Sequence, residues 1–216
     1  MKQIFRDRKK AVPFILCAAV ILLNIAAEVF GLADSGDLYY YGGNLDNTAF
    51  LLGFILPLTV AAALMMVQIA SKQDDLKGRI RLAAFYLFMA AGQALTEVYT
   101  APRTFGGTAV NTLMCVLIAA LLAMIVLILT GKAKRWMYAA VSVAGMVTIV
   151  LSLWMHCVSM GRLGMSFEAY VYMCFNGNSP CVFILKHISM FLLYVVILVC
   201  EDGKITGKLN RGHDGM

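Results

Sequence analysis

Charge is what this sequence has least of. Asp, Glu, Lys and Arg make up only 14% of its residues, where a soluble domain carries about a quarter. Hydrophobic residues reach 61%, and the mean hydropathy is +0.81. Such a chain has no need of a soluble-type core, because lipid can take its apolar surface. The short catalytic and cofactor signatures are missing as well. There is no C-x-x-C pair among the six cysteines, which excludes a zinc ribbon or a thioredoxin-like site. There is no glycine-rich phosphate loop and no H-E-x-x-H. Gly164-Met-Ser166 lacks the second glycine of a nucleophile elbow. No ATPase module fits in 216 residues of this composition, so active pumping would require a partner subunit.

What remains is apolar length. Six stretches are long enough to cross a bilayer, at about residues 11–32, 49–70, 80–100, 110–130, 136–157 and 182–200. They predict an all-α integral membrane protein over residues 1–216, a single domain built as a bundle of six transmembrane helices. Pro57 falls inside the second stretch, where it kinks the helix or frees a carbonyl that neighbouring helices must satisfy. Pro180 stands where a first helical turn begins, a position at which its missing N–H costs nothing.

The basic residues set the orientation. Of 18 Lys and Arg, fifteen fall in the first ten residues, in Ser71 to Arg81, in Gly131 to Arg135 and in the tail after Cys200. Those four segments alternate with the other loops, so the positive-inside rule places both termini and two short basic loops in the cytoplasm of a cell (inner or plasma) membrane protein. The net charge of +6 therefore reads as topology, and nucleic-acid binding is not implied. A cleavable signal peptide competes at the N-terminus, but the first apolar run exceeds a usual signal core, and an uncleaved first helix is expected. The long loops at 33–48 and 158–181 are then external. Cys174 and Cys181 flank Phe-Asn-Gly-Asn-Ser-Pro in the second, and an oxidising exterior would permit a bridge between them. Cys17, Cys115 and Cys200 lie in apolar segments, where each is expected to be a buried thiol acting as a small hydrophobe.

A pattern recurs through the chain. Asn24-x-x-x-Glu28, Gln93-x-x-x-Glu97 and Ser152-x-x-x-His156 each end an outward-running helix. The i, i+4 spacing stacks each pair one turn apart on one face. The inward-running helices open with Gly42-Gly-Asn-Leu-Asp-Asn47-Thr48, with Gly106-Gly-Thr-Ala-Val-Asn111-Thr112, and more loosely with Asn178-Ser179. Together these suggest one helical hairpin used three times, although Asn-Thr capping and Gly-Gly turning alone would also give the openings.

Lys186 and His187 sit side by side just inside the last apolar run. With Glu28, Glu97 and His156 they fall in the outer third of the membrane, and Asn24 and Gln93 lie one turn deeper. Ionisable groups at that depth are costly in lipid and mark a site by default, unless they are solvated at the headgroups with Lys186 snorkelling outward. Three chemistries follow from convergence. The first is an outward-facing polar pocket for a small, anionic ligand, bound by Asn24, Glu28, Gln93, Glu97, His156, Lys186 and His187. The second is a metal site formed by Glu28, Glu97, His156 and His187, acceptable to zinc and suited to a metal-dependent enzyme of the outer leaflet. The third is haem held between His156 and His187.

No catalytic residue is singled out, and a non-enzymatic transport component is the leading expectation. Its expected partners are the lipid bilayer, a small-molecule ligand from outside, and a cytoplasmic ATPase or another membrane subunit docked on the basic loops. Cofactor needs are not indicated. The alternatives are the metal-dependent enzyme and a non-catalytic assembly or regulatory subunit. In architecture such a bundle is similar to the substrate-binding subunits of energy-coupling vitamin transporters, a likeness carried by no sequence motif.

Overall fold

A computed structural model describes residues 8–33, 47–71, 76–100, 108–162, 164, 166, 168–169 and 179–201. Side chains are described for 10–27, 56–71, 76–95, 110–155 and 184–200, with a few beyond. Those of Glu28, Glu97 and His156 lie outside this set, as do Cys174 and Cys181 entirely. The described residues are all-helical, without strands. The six helices are α1 (Arg8–Ala33), α2 (Asn47–Ala70), α3 (Leu76–Thr100), α4 (Thr108–Leu129), α5 (Arg135–Arg162) and α6 (Ser179–Glu201). Each apolar stretch of the sequence lies within one of them, give or take a turn. Three described windows are long and apolar enough to cross a membrane: Lys10–Ala27, Val110–Leu129 and Arg135–Met155. Shorter apolar runs occupy Leu56–Ala70 and Ile184–Cys200.

Helices that follow one another in the chain pack together, and α6 returns to pack along α1. The result is a closed antiparallel ring, with α2 also touching α6 across its interior. Its core holds Phe85, Tyr86, Met89, Leu121, Met124, Met190, Leu193 and Tyr194, all buried. Its outside is apolar too: Leu22, Val116, Val126, Val150 and Trp154 are exposed. A large apolar outer surface is what a lipid-facing helix presents and what a water-facing one avoids. Trp136 and Trp154 are both exposed on α5. Eighteen residues is five whole turns, so they share one face about 27 Å apart, close to the ~30 Å of a hydrocarbon core.

Pro13 and Pro57 are accommodated inside α1 and α2. Pro180 occupies the first turn of α6, as its position in the sequence implies. Cys17 and Cys200 are buried, but Cys115 is exposed on the outer surface of α4, which corrects its reading as a buried thiol. Apolar sequence does not distinguish a core-facing from a lipid-facing position.

The two short basic turns meet at one end of the ring. Gly131, with φ at 71°, closes α4 in a Schellman motif. Lys132 N–H donates to Leu127 C=O at 2.8 Å, and Gly131 N–H donates to Ile128 C=O at 3.1 Å. Arg79, from the start of α3, lies so close that its Nη1 would stand 2.9 Å from a Cβ at Gly131. At the α2–α3 turn Arg81 donates through Nε to Gln68 Oε1 (3.0 Å) and through Nη2 to Ser71 Oγ (2.8 Å). Ser71 Oγ in turn donates to the Gln68 carbonyl at 3.2 Å.

Glycine sets how closely two seams approach. A Cβ at Gly92 would fall 2.8 Å from Leu58 Cδ2, between α3 and α2. At Gly145 on α5 it would overlap the ring carbons of Tyr194 on α6. The buried ring lies directly on the glycine backbone and cannot yield as a flexible chain end would. We expect Gly145→Ala to lower stability by roughly 1–3 kcal/mol, read as a lower melting temperature in detergent. Gly161→Ala, where nothing lies within 4 Å, should leave the melting temperature unchanged or raise it slightly.

Candidate functional site

An interior polar group in a lipid-facing bundle must find its partner within the protein, because no water competes for it in the hydrocarbon. The three polar positions of the repeated pattern do this in the same way. Asn24 on α1 donates through Nδ2 to Thr59 Oγ1 on α2 at 3.2 Å. Gln93 on α3 donates through Nε2 to Met114 Sδ on α4. Ser152 Oγ on α5 stands 3.4 Å from His187 Nε2 on α6, with the donor set by the imidazole tautomer. Among the described residues each hairpin is thus crossed by a polar rung, with α1, α3 and α5 each supplying the member that the pattern names. Asn24, Gln93 and Ser152 are all buried. The partners Thr59, Met114 and His187 stand 12, 3 and 9 residues after Asn47, Asn111 and Asn178, so they hold no common position in the repeated pattern.

Lys186 and His187 are both interior, at 3% and 1% exposure. Neighbours on a helix point about 100° apart, so two consecutive polar residues stay buried only where a helix is covered on more than one side. α6 meets this condition, since it packs on α1 and α5 and touches α2. Lys186 is thus enclosed by protein and does not reach out along the surface. Glu28, Glu97 and His156 lie on the helix backbone one turn beyond Asn24, Gln93 and Ser152. Asn24 and Gln93 bond to separate partners and not to each other.

Three of the four proposed metal ligands are among the side chains not described. Among the described residues, no three His, Cys, Asp or Glu lie together so as to hold a metal ion. His187 Nε2, the atom that haem would engage, is the one facing Ser152. Sequence reasoning passed over Thr59, Met114 and Ser189, and also Ser142 and Tyr194. Ser189 is fully buried three residues after Lys186, and its Oγ has no hydrogen-bond partner among the described residues. Gln93 Oε1, Ser142 Oγ and Tyr194 Oη share that condition. A hydroxyl at i+3 from a buried lysine was the available signal for Ser189. Thr59 and Met114 carried none, because either reads as an ordinary apolar-helix residue.

In comparisons with protein-family models, curated proteins and solved structures, nothing matched this chain. The architectural likeness to vitamin-transporter subunits gains no support from them.

A rung inside a membrane bundle contributes modestly, on average about 0.6 kcal/mol. A double-mutant cycle of Asn24→Leu with Thr59→Val should show a coupling of that order in unfolding from detergent or bicelles. Strict additivity of the two single changes would mean that the contact does not bind α1 to α2.

Proposed function

We propose that the chain is a small transport component of the cell membrane. It is one domain that spans the bilayer six times and has both termini and the two basic turns on the cytoplasmic side. A polar site in its outer half receives a small ligand from outside. The observation that carries this reading is the burial of Lys186 and His187 side by side within the ring. An amine and an imidazole held in a lipid-embedded bundle are costly, and they persist chiefly where they serve a ligand, an ion or a proton. The apolar outer surface, the tryptophan pair spaced to the bilayer and the gathering of the basic turns at one end support the membrane setting.

In this reading Asn24 and Gln93 form the floor of the site, with Lys186 and His187 above it. Glu28, Glu97 and His156 line its mouth and balance the lysine. A cytoplasmic ATPase or a second membrane subunit would supply energy through the basic turns.

Thiol accessibility tests the reading while the ligand is still unidentified. In a cysteine-free background, Ser189→Cys and His187→Cys should react with a membrane-impermeant thiosulfonate applied from the side opposite the basic turns. The same reagent applied to the basic side should leave them unmodified. Reaction from the basic side alone would invert the topology. Protection from both sides would remove the open site and favour a non-catalytic assembly role.

A further inference from the structure

Positive charge is concentrated where the two basic turns meet. Lys132, Lys134 and Arg135 fall within four residues between the end of α4 and the start of α5, and all three are exposed. Arg79 joins them from the start of α3. Its guanidinium lies flat on Gly131, with Nη1, Cζ and Nη2 at 2.9, 3.4 and 3.6 Å from the point a Cβ would occupy. A side chain at 131 would push the cation away. Arg79 is thereby held beside a turn that carries three more cations in the next four residues.

Little offsets this charge. No Asp or Glu occurs between Glu97 and Glu168, so α4, α5 and their turn contribute none. Asp74 and Asp75 of the α2–α3 turn lie outside the described residues. The positive end of the α5 helix dipole adds to the same field.

Apolar surface begins directly beside these cations. Val126 and Leu129, three residues apart on one face of α4, are exposed, and so is Trp136, next to Arg135. An acidic soluble protein would match the charges and leave the apolar strip uncovered. An anionic phospholipid matches both. Its phosphodiester accepts from the guanidinium and from the lysine ammonium groups, and its acyl chains lie along Val126 and Leu129. Trp136 then stands at the boundary between headgroup and chain, where tryptophan is favoured. Basic clusters at the ends of membrane helices attract anionic headgroups in this way.

We propose that the α4–α5 turn, together with Arg79, is a binding site for an anionic phospholipid of the cytoplasmic leaflet. The inference rests on the membrane-spanning reading proposed above and adds which lipid its basic end selects.

Tryptophan quenching in vesicles tests it, because the chain has two tryptophans and Trp154→Phe leaves Trp136 as the only reporter. Phosphatidylcholine vesicles would carry an equal small share of a lipid brominated on its acyl chains, either phosphatidylglycerol or phosphatidylcholine. Trp136 should be quenched more by the anionic lipid, with a preference of about fivefold or more, the worth of one basic residue near the surface. Lys132→Gln with Lys134→Gln should abolish the preference, and Arg79→Gln should lower it. The charge-matched Lys9→Gln with Lys10→Gln, at the same end but on α1, should leave it intact. Loss of the preference in that control as well would assign it to the general field of the basic end and overturn the site. Equal quenching by the two lipids would also overturn it and leave the membrane-spanning reading standing. If a co-purified acidic protein were then lost in Lys132→Gln with Lys134→Gln, the turn would be a protein dock instead. A Trp136 quenched by neither lipid would overturn both.

Discussion

The structure depends on one constraint: a polar group inside this bundle can be satisfied only by another part of the bundle. In water an asparagine side chain exchanges one partner for another at little net cost. Within hydrocarbon the alternative to a protein partner is an unmade hydrogen bond worth several kcal/mol. Asn24, Gln93 and Ser152 are therefore more than tolerated polar residues. Each requires a partner at a matching depth on the next helix, and finding it fixes the register of its hairpin. Apolar packing alone specifies register weakly here, because lipid is as good a neighbour for leucine as another helix is.

Close approach between helices has a separate origin. Where polar rungs set register, glycine sets distance. Tyr194 can lie against α5 because position 145 has no side chain, and Leu58 fills the notch at Gly92 in the same way. The two devices coincide at the α5–α6 seam and otherwise fall on different ones. Glycine draws α2 to α3 and α5 to α6, and the rungs join α1 to α2, α3 to α4 and α5 to α6. With the α1–α6 seam also formed, the ring closes. Closure is what allows α6 to bury residues on several faces at once, and so to hold Lys186 and His187 together inside.

The six helices were legible in the sequence because apolar length is a strong signal, and the basic residues marked which turns share an end. The repeated polar pattern was legible through its i, i+4 spacing. The partners of that pattern were not. Thr59 and Met114 look like any other residue of an apolar helix, and only the packing of one helix on the next selects them. The exposure of Cys115 was likewise invisible, since nearly every position of α4 is apolar and no polar stripe marks its lipid-facing side. The spacing of Trp136 and Trp154 was there to be read, and it needed only the observation that eighteen residues return a helix to the same face.

That tryptophan spacing also gives the polar column a depth. Measured along α5, Ser152 and its partner His187 lie about 3 Å from the level of Trp154 toward Trp136. The register that seats Tyr194 on Gly145 places Ser189 of α6 level with Val150 of α5, about 6 Å from the level of Trp154. Buried polar groups thus occupy more than one level of the α5–α6 seam, with Ser152, His187 and Ser189 all interior. Nearer the basic turns, Ser142 of α5 is buried and Gln68 of α2 is tied to Arg81. These groups sit inside the ring while its outer face stays apolar, so the packing of the helices sorts polar from apolar surface.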